Sequence, residues 1–148
     1  MYKSPFKFGS HIFSKIEEVK STNCLIIDEK MIEESLCYEI AEFFNKNDIV
    51  KYLDCSNKIF AGNCLPILGK VISQSKNLKK IKFSNNQIAD SDIGFQSFCE
   101  GIMRNSCIEE VDLSNNNLGM NSANIFAEKC IKDSKLKRID LSYNRLGS

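Results

Sequence analysis

The sequence predicts an α/β solenoid, a stack of strand–helix units with the strands side by side in one layer and the helices in another. Three observations predict it. The stretch "EEVDLSNNNLGMNSANIFAEKC" (Glu109 to Cys130) changes hydrophobic period midway. Val111 and Leu113 alternate with polar residues, as in a strand with one buried face; Ala123, Phe126, Ala127 and Cys130 then follow helical spacing. The alternating half recurs, with copies starting at 22, 50, 78, 108 and 136, so the spacings are 28, 28, 30 and 28 residues. In every copy apolar residues fall three, five and ten places after the start. A strand plus a helix in under thirty residues buries neither face alone, so such units must stack on one another.

The elements follow in order. Residues 1–21 form an N-terminal segment. Met1 to Lys7 is loose and basic, and Ser10 is placed to cap a short helix carrying Ile12, Phe13, Ile16 and Val19. Such a helix would cover the apolar end of the first repeat, as terminal units of solenoids require; the alternative is a partner-docking peptide. Repeat one, 22–49, holds Leu25, Ile27 and Ile32; repeat two, 50–77, holds Leu53, Cys55 and Phe60. Repeat three, 78–107, holds Ile81, Phe83 and Ile88; repeat four, 108–135, holds Val111, Leu113 and Leu118. The incomplete fifth, 136–148, holds Ile139, Leu141 and Leu146 and stops just after its strand and turn. That ending predicts further repeats or self-association through an open end.

In the second halves, Ser35, Asn63, Asp92 and Asn121 are the expected helix N-caps. Inward rows then run Cys37, Leu65, Phe95, Ala123; Ile40, Leu68, Phe98, Phe126; Ala41, Gly69, Cys99, Ala127; and Phe44, Ile72, Ile102, Cys130. The third row is small, which lets each helix lie close to its strand. Pro66 falls in a first helical turn, where it is tolerated.

"LKKIKFSNNQI", "IEEVDLSNNNL" and "LKRIDLSYNRL" fit L-x-x-L-x-L-x-x-N-x-L. With one helix per unit, this pattern resembles the leucine-rich repeat family, and the period near 28 is similar to its ribonuclease-inhibitor-like subfamily. The resemblance covers Thr22 to Ser148 and implies a horseshoe arc with parallel strands on its concave face and helices on its convex face. It implies that the pattern's Asn turns the chain out of the strand and bonds backbone groups of adjacent repeats. Asn86, Asn116 and Asn144 match that place, whereas Lys30 and Lys58 replace it in the first two repeats, so the ladder is not expected to continue there.

Composition narrows the function. The chain has 148 residues, 43% hydrophobic, with net charge +1, which argues against a general nucleic-acid binder. It has no apolar run of about 18 residues and no unbroken signal core, so neither a membrane span nor a secretory leader is expected. Seven cysteines, an odd number without a C-x-x-C pair, fit neither a full disulfide framework nor a zinc site. They read as reduced core thiols in a cytoplasmic protein. No cofactor or metal is expected. "DSDIG" (Asp90 to Gly94) lacks the spacing of a calcium loop.

On the strand face, second-place residues form the row Cys24, Tyr52, Lys80, Glu110, Arg138, and fourth-place residues the row Ile26, Asp54, Lys82, Asp112, Asp140. The sixth place gives Asp28 and then Ser56, Ser84, Ser114 and Ser142; the seventh gives Glu29, Asn57, Asn85, Asn115 and Tyr143. One reading is a solvated ladder of ion pairs, each worth ~0–1 kcal/mol. The other is a binding face for an unidentified protein partner, built from Tyr52, Asp54, Lys80, Lys82, Glu110, Asp112, Arg138, Asp140 and Tyr143, with the tyrosines as anchors. Asp112 and Asp140 invite an acid–base reading, but no nucleophile or histidine accompanies them, since the one histidine is His11. An enzyme is therefore not expected. The resemblance implies non-catalytic protein binding through the concave strands. Its alternatives are a regulator of an enzyme or GTPase, similar to ribonuclease inhibitor or the Ran GTPase-activating protein, and a cytoskeletal assembly part resembling tropomodulin.

Overall fold

Residues 12–89, 92–133 and 135–146 are described by a computed structural model. Met1 to Lys7, expected to be loose and basic, the expected cap Ser10, and His11 lie outside the described residues, as do Asp90 and Ser91 of the "DSDIG" stretch. In chain order the elements are a 3-10 turn (Phe13–Lys15), α1 (Ile16–Thr22), β1 (Cys24–Ile26), β2 (Met31–Ile32), α2 (Glu34–Lys46), β3 (Tyr52–Asp54), β4 (Ile59–Phe60), α3 (Cys64–Gln74), β5 (Lys80–Lys82), α4 (Ile93–Arg104), β6 (Glu110–Asp112), α5 (Met120–Lys132) and β7 (Arg138–Asp140).

The alternating stretches give a parallel sheet in the order β1-β3-β5-β6-β7. Its register is the repeat register: Cys24, Tyr52, Lys80, Glu110 and Arg138 pair laterally, as do Ile26, Asp54, Lys82, Asp112 and Asp140. Between them Leu25, Leu53, Ile81 and Val111 point inward and are buried, because period two sends alternate side chains to opposite faces. Ile139 of the edge strand β7 is half-buried. Past the turn, β2 and β4 pair in a second, two-stranded parallel strip, continued by a bridge between Ala89 and Asn117. The strand reading of the sequence did not extend to this strip, although its inward members Ile32 and Phe60 stand at the tenth place.

The asparagine ladder runs between the strips. Asn116 Oδ1 accepts from the N–H groups of Asn86 and Ile88, and its amide donates to the carbonyls of Phe83 and Leu113. Asn144 does the same for Asn116 and Leu118. Asn86 reaches into the second repeat, where it accepts from Lys58 N–H and donates to the Cys55 carbonyl.

The helices depart from the sequence reading in three ways. Asp92 caps α4 with its carboxylate on Phe95 N–H, and Asn63 precedes α3, but α2 is preceded by Glu33 and α5 by Gly119. Ser35 and Asn121 therefore sit inside their first turns. In α2, Phe43 is fully buried and Phe44 only partly. The third departure is the face of α5: Ser122, Phe126 and Lys129 are buried, whereas Ala127 and Cys130 are exposed. Lys129 causes this rotation. Its ammonium donates to the carbonyls of Met103 and Asn105 at the end of α4 and pairs with Asp133 at 3.0 Å. A cation there completes the carbonyls that a helix end leaves open.

The small-residue row also acts differently from its expected role. A Cβ on Gly101 would lie 2.0 Å from the Gly69 carbonyl oxygen, and one on Gly69 would lie 2.8 Å from the Ser97 carbonyl oxygen. These glycines bring α3 against α4, helix to helix rather than helix to strand. Phenylalanines fill the space beneath, with Phe83 and Phe98 ring centroids 4.6 Å apart and Phe60 stacked on Phe83 at 5.8 Å. At the N-terminal end Ile12 and Val19 join the same core, and Phe13 meets Phe43 edge-on at 5.5 Å.

Candidate binding surface on the strand face

Each strand offers its second and fourth residues outward, and lateral pairing brings them into contact. Lys80 Nζ lies 5.1 Å from the Tyr52 ring centre and 3.4 Å from Glu110 Oε2. Partial burial raises the Tyr52 hydroxyl above its ordinary range, with the Asp54 carboxylate adding to it. Lys82 is in register between Asp54 and Asp112 but forms no ion pair with either. Arg138, exposed on the edge strand, forms none with its neighbour Glu110. The alternating ladder of charges expected from the sequence thus contains one ion pair, Lys80–Glu110.

The aspartates are held by their own turns. Asp54 Oδ1 accepts from Ser56 N–H, while Asp112 Oδ1 and Asp140 Oδ1 each accept from the N–H and the hydroxyl of the serine two residues on. These are Asx turns, in which a short carboxylate closes the bend after the strand. Both bonds from Ser142 favour the charged form, so the Asp140 carboxyl sits below its ordinary range. In repeat three, where Lys82 replaces the aspartate, Ser84 N–H and hydroxyl turn to Ser56 Oγ instead, at 3.3 and 3.0 Å. Asp54, Asp112 and Asp140 therefore shape the chain as well as charge the face.

The seventh place was read only as an exposed row. Asn57, Asn85, Asn115 and Tyr143 all have left-handed backbones, with φ of 61, 56, 55 and 56°. Asn tolerates that conformation, which was the available sequence signal. Asn85 Nδ2 donates to Asn57 Oδ1 and Asn115 Nδ2 to Asn85 Oδ1, at 2.6 and 3.3 Å, giving a second, exposed asparagine ladder along the rim. Tyr143 ends that row. It is a bulky residue in a left-handed backbone, 83% exposed.

The cleft among Lys80, Glu110, Asp112, Arg138 and Asp140 measures about 70 Å³, well below the several hundred that small-molecule sites occupy. Among the described residues no three of His, Cys, Asp and Glu are grouped to hold a metal ion, and no helix is long and apolar enough to cross a membrane.

Comparison with known proteins agrees with this geometry. A family model described as "Leucine Rich repeat" matches residues 104–121. "Leucine-rich repeat-containing protein 45" of Gallus gallus is 29% identical over 77 residues, 52% of this chain. The match spans 12% of that protein's length. Among solved structures, "Leiomodin-1 Actin-Binding Site 2 (ABS2)" superposes with a TM-score of 0.62 at 13% identity, over 74% of this chain and 65% of that one. The fold is a leucine-rich-repeat solenoid.

Proposed function

We propose that the protein is a non-catalytic binding module of the ribonuclease-inhibitor-like class that takes a protein partner on its strand face. The observation that carries this reading is the rim at Tyr143. An exposed aromatic ring is kept in a backbone conformation that three preceding repeats give to asparagine. Strain of this kind persists where the side chain serves something other than the fold. Tyr52, Lys80, Lys82, Glu110 and Arg138 extend the surface across the arc, and Asp54, Asp112 and Asp140 fix its turns. The buried thiols of Cys37, Cys55 and Cys64 support a reducing, cytoplasmic setting. Ile131, 85% exposed on α5, offers a route to self-association.

The test is affinity capture with wild type, a strand-face variant (Glu110→Lys with Arg138→Glu) and a helix-face variant (Glu128→Lys with Lys132→Glu). The strand-face variant should lose the captured partner and the helix-face variant should keep it; the opposite result rejects the reading. Because the leiomodin neighbour carries an actin-binding site on this fold, actin is the first named partner to try, by co-sedimentation with filaments and by capture of monomer.

A further inference from the structure

The convex side carries a second surface that the strand-face reading leaves unused. Where Gly69 and Gly101 let α3 and α4 meet backbone to backbone, α2 ("ESLCYEIAEFFNK") has no glycine. Larger side chains stand between α2 and α3, and an open trench of about 870 Å³ is left between them. Its floor is apolar. Ala41, Phe44 and Ile67 are partly buried there, and Val71 lies beneath them. The walls differ in charge. On the α2 side, Glu42 is engaged by Lys46 at 2.9 Å, which leaves Asp48, in the turn after the helix, as the lining acid without an ion pair. On the α3 side, Lys70 and Lys76 are exposed and form no ion pair with a described residue.

We propose that this trench docks an amphipathic, acidic segment of a partner protein. Apolar side chains at helical spacing would enter the floor, and carboxylates would meet Lys70 and Lys76. The α2 wall runs from Tyr38 to Asn45, with Asn47 and Asp48 just past the helix end; at 1.5 Å per residue the helical part takes about two turns of a partner helix, the scale of helix-in-groove recognition. A nucleic acid would find the cations but would have no use for an apolar floor. This surface is independent of the strand face, and either can fail without the other.

The test pans a display library of random 16-residue peptides on the immobilised protein, with parallel panning on Lys70→Glu/Lys76→Glu. Both lysines are exposed, so the variant should fold, which circular dichroism checks. Peptides recovered on wild type alone should combine Asp or Glu with apolar residues three and four apart. Their binding, followed by fluorescence polarisation, should weaken at least tenfold with Lys70→Glu/Lys76→Glu and with Ala41→Arg, which fills the trench. It should be unchanged by Glu110→Lys/Arg138→Glu. Failure to enrich any sequence, enrichment of basic or acid-free sequences, equal binding to the charge-reversed variant, or loss only with the strand-face variant would each overturn the proposal.

Discussion

Asn116 and Asn117 are neighbours of one type with opposite duties. Asn116 satisfies two backbone N–H groups and several carbonyls inside the solenoid, while Asn117 is exposed. Asn116→Ala orphans those buried groups and should cost about 2–3 kcal/mol, whereas Asn117→Ala should change stability by under about 0.5 kcal/mol. Urea denaturation of the two variants measures the difference. Tyr143 gives a prediction of opposite sign. Tyr143→Asn puts into the left-handed site the residue that the preceding repeats use, and its amide would face Asn115. The variant should gain about 0.5–1 kcal/mol in stability and lose affinity for a strand-face partner. A variant that is both less stable and still binding would remove Tyr143 from the surface. Asp112, half-buried on the strand face, is not a neutral site, because substitution also releases Ser114.

Helix packing is decided by contacts between elements. In an exposed helix, Gly→Ala stabilises by about 1 kcal/mol. Gly101→Ala should instead destabilise, by about 3 kcal/mol or more, because the new Cβ meets the Gly69 carbonyl oxygen and the two helices must separate. A thermal melt at or above the wild-type temperature would show that α3 and α4 are less close than described. The end of α4 depends on Lys129, 3% exposed. Lys129→Met removes the donor from two carbonyls and the partner from Asp133, and should cost about 2–3 kcal/mol. The bond from Lys129 holds the Asp133 carboxyl below its ordinary value of 3.8. A depressed folded value means that the stability from this group is complete above pH 3.8 and is lost as pH falls through the lower value. Asp133→Asn should therefore flatten the acid limb of the stability curve in that window, as followed by denaturation at a series of pH values.

At the scale of the whole molecule, the thiols report how much of the arc is closed. Cys37, Cys55, Cys64 and Cys99 are buried, Cys24 and Cys107 are half-buried, and Cys130 is exposed. Burial pushes the Cys37 and Cys55 thiols far above their ordinary range, so little nucleophilic thiolate forms there. Under native conditions an alkylating reagent should label Cys130 first, then Cys24 and Cys107. The other four should react only after unfolding, and mass measurement over time resolves the order. Fast labelling of Cys37 or Cys55 would mean that the first two repeats open independently of the rest.

The sequence by itself determined the repeat, its period, the strand register and the asparagine ladder, because each depends on residues at fixed offsets along one chain. Leu25, Leu53, Ile81 and Val111 had to point the same way once their repeats stacked. It also determined where the ladder weakens, since Lys58 supplies only its backbone N–H to Asn86. Tertiary structure decided what depends on two chain segments at once. The face of α5 turned inward because Lys129 completes the end of α4, a partner 24 residues away. Gly69 reads as a small residue beneath a strand until Gly101 comes against it. The fourth-place aspartates look free until their turns claim them, and Asn57, Asn85 and Asn115 look merely polar until left-handed backbones align them. Hydrophobic period is a local property and can be read from the sequence; whether a polar group is satisfied depends on what the folded neighbour brings to it.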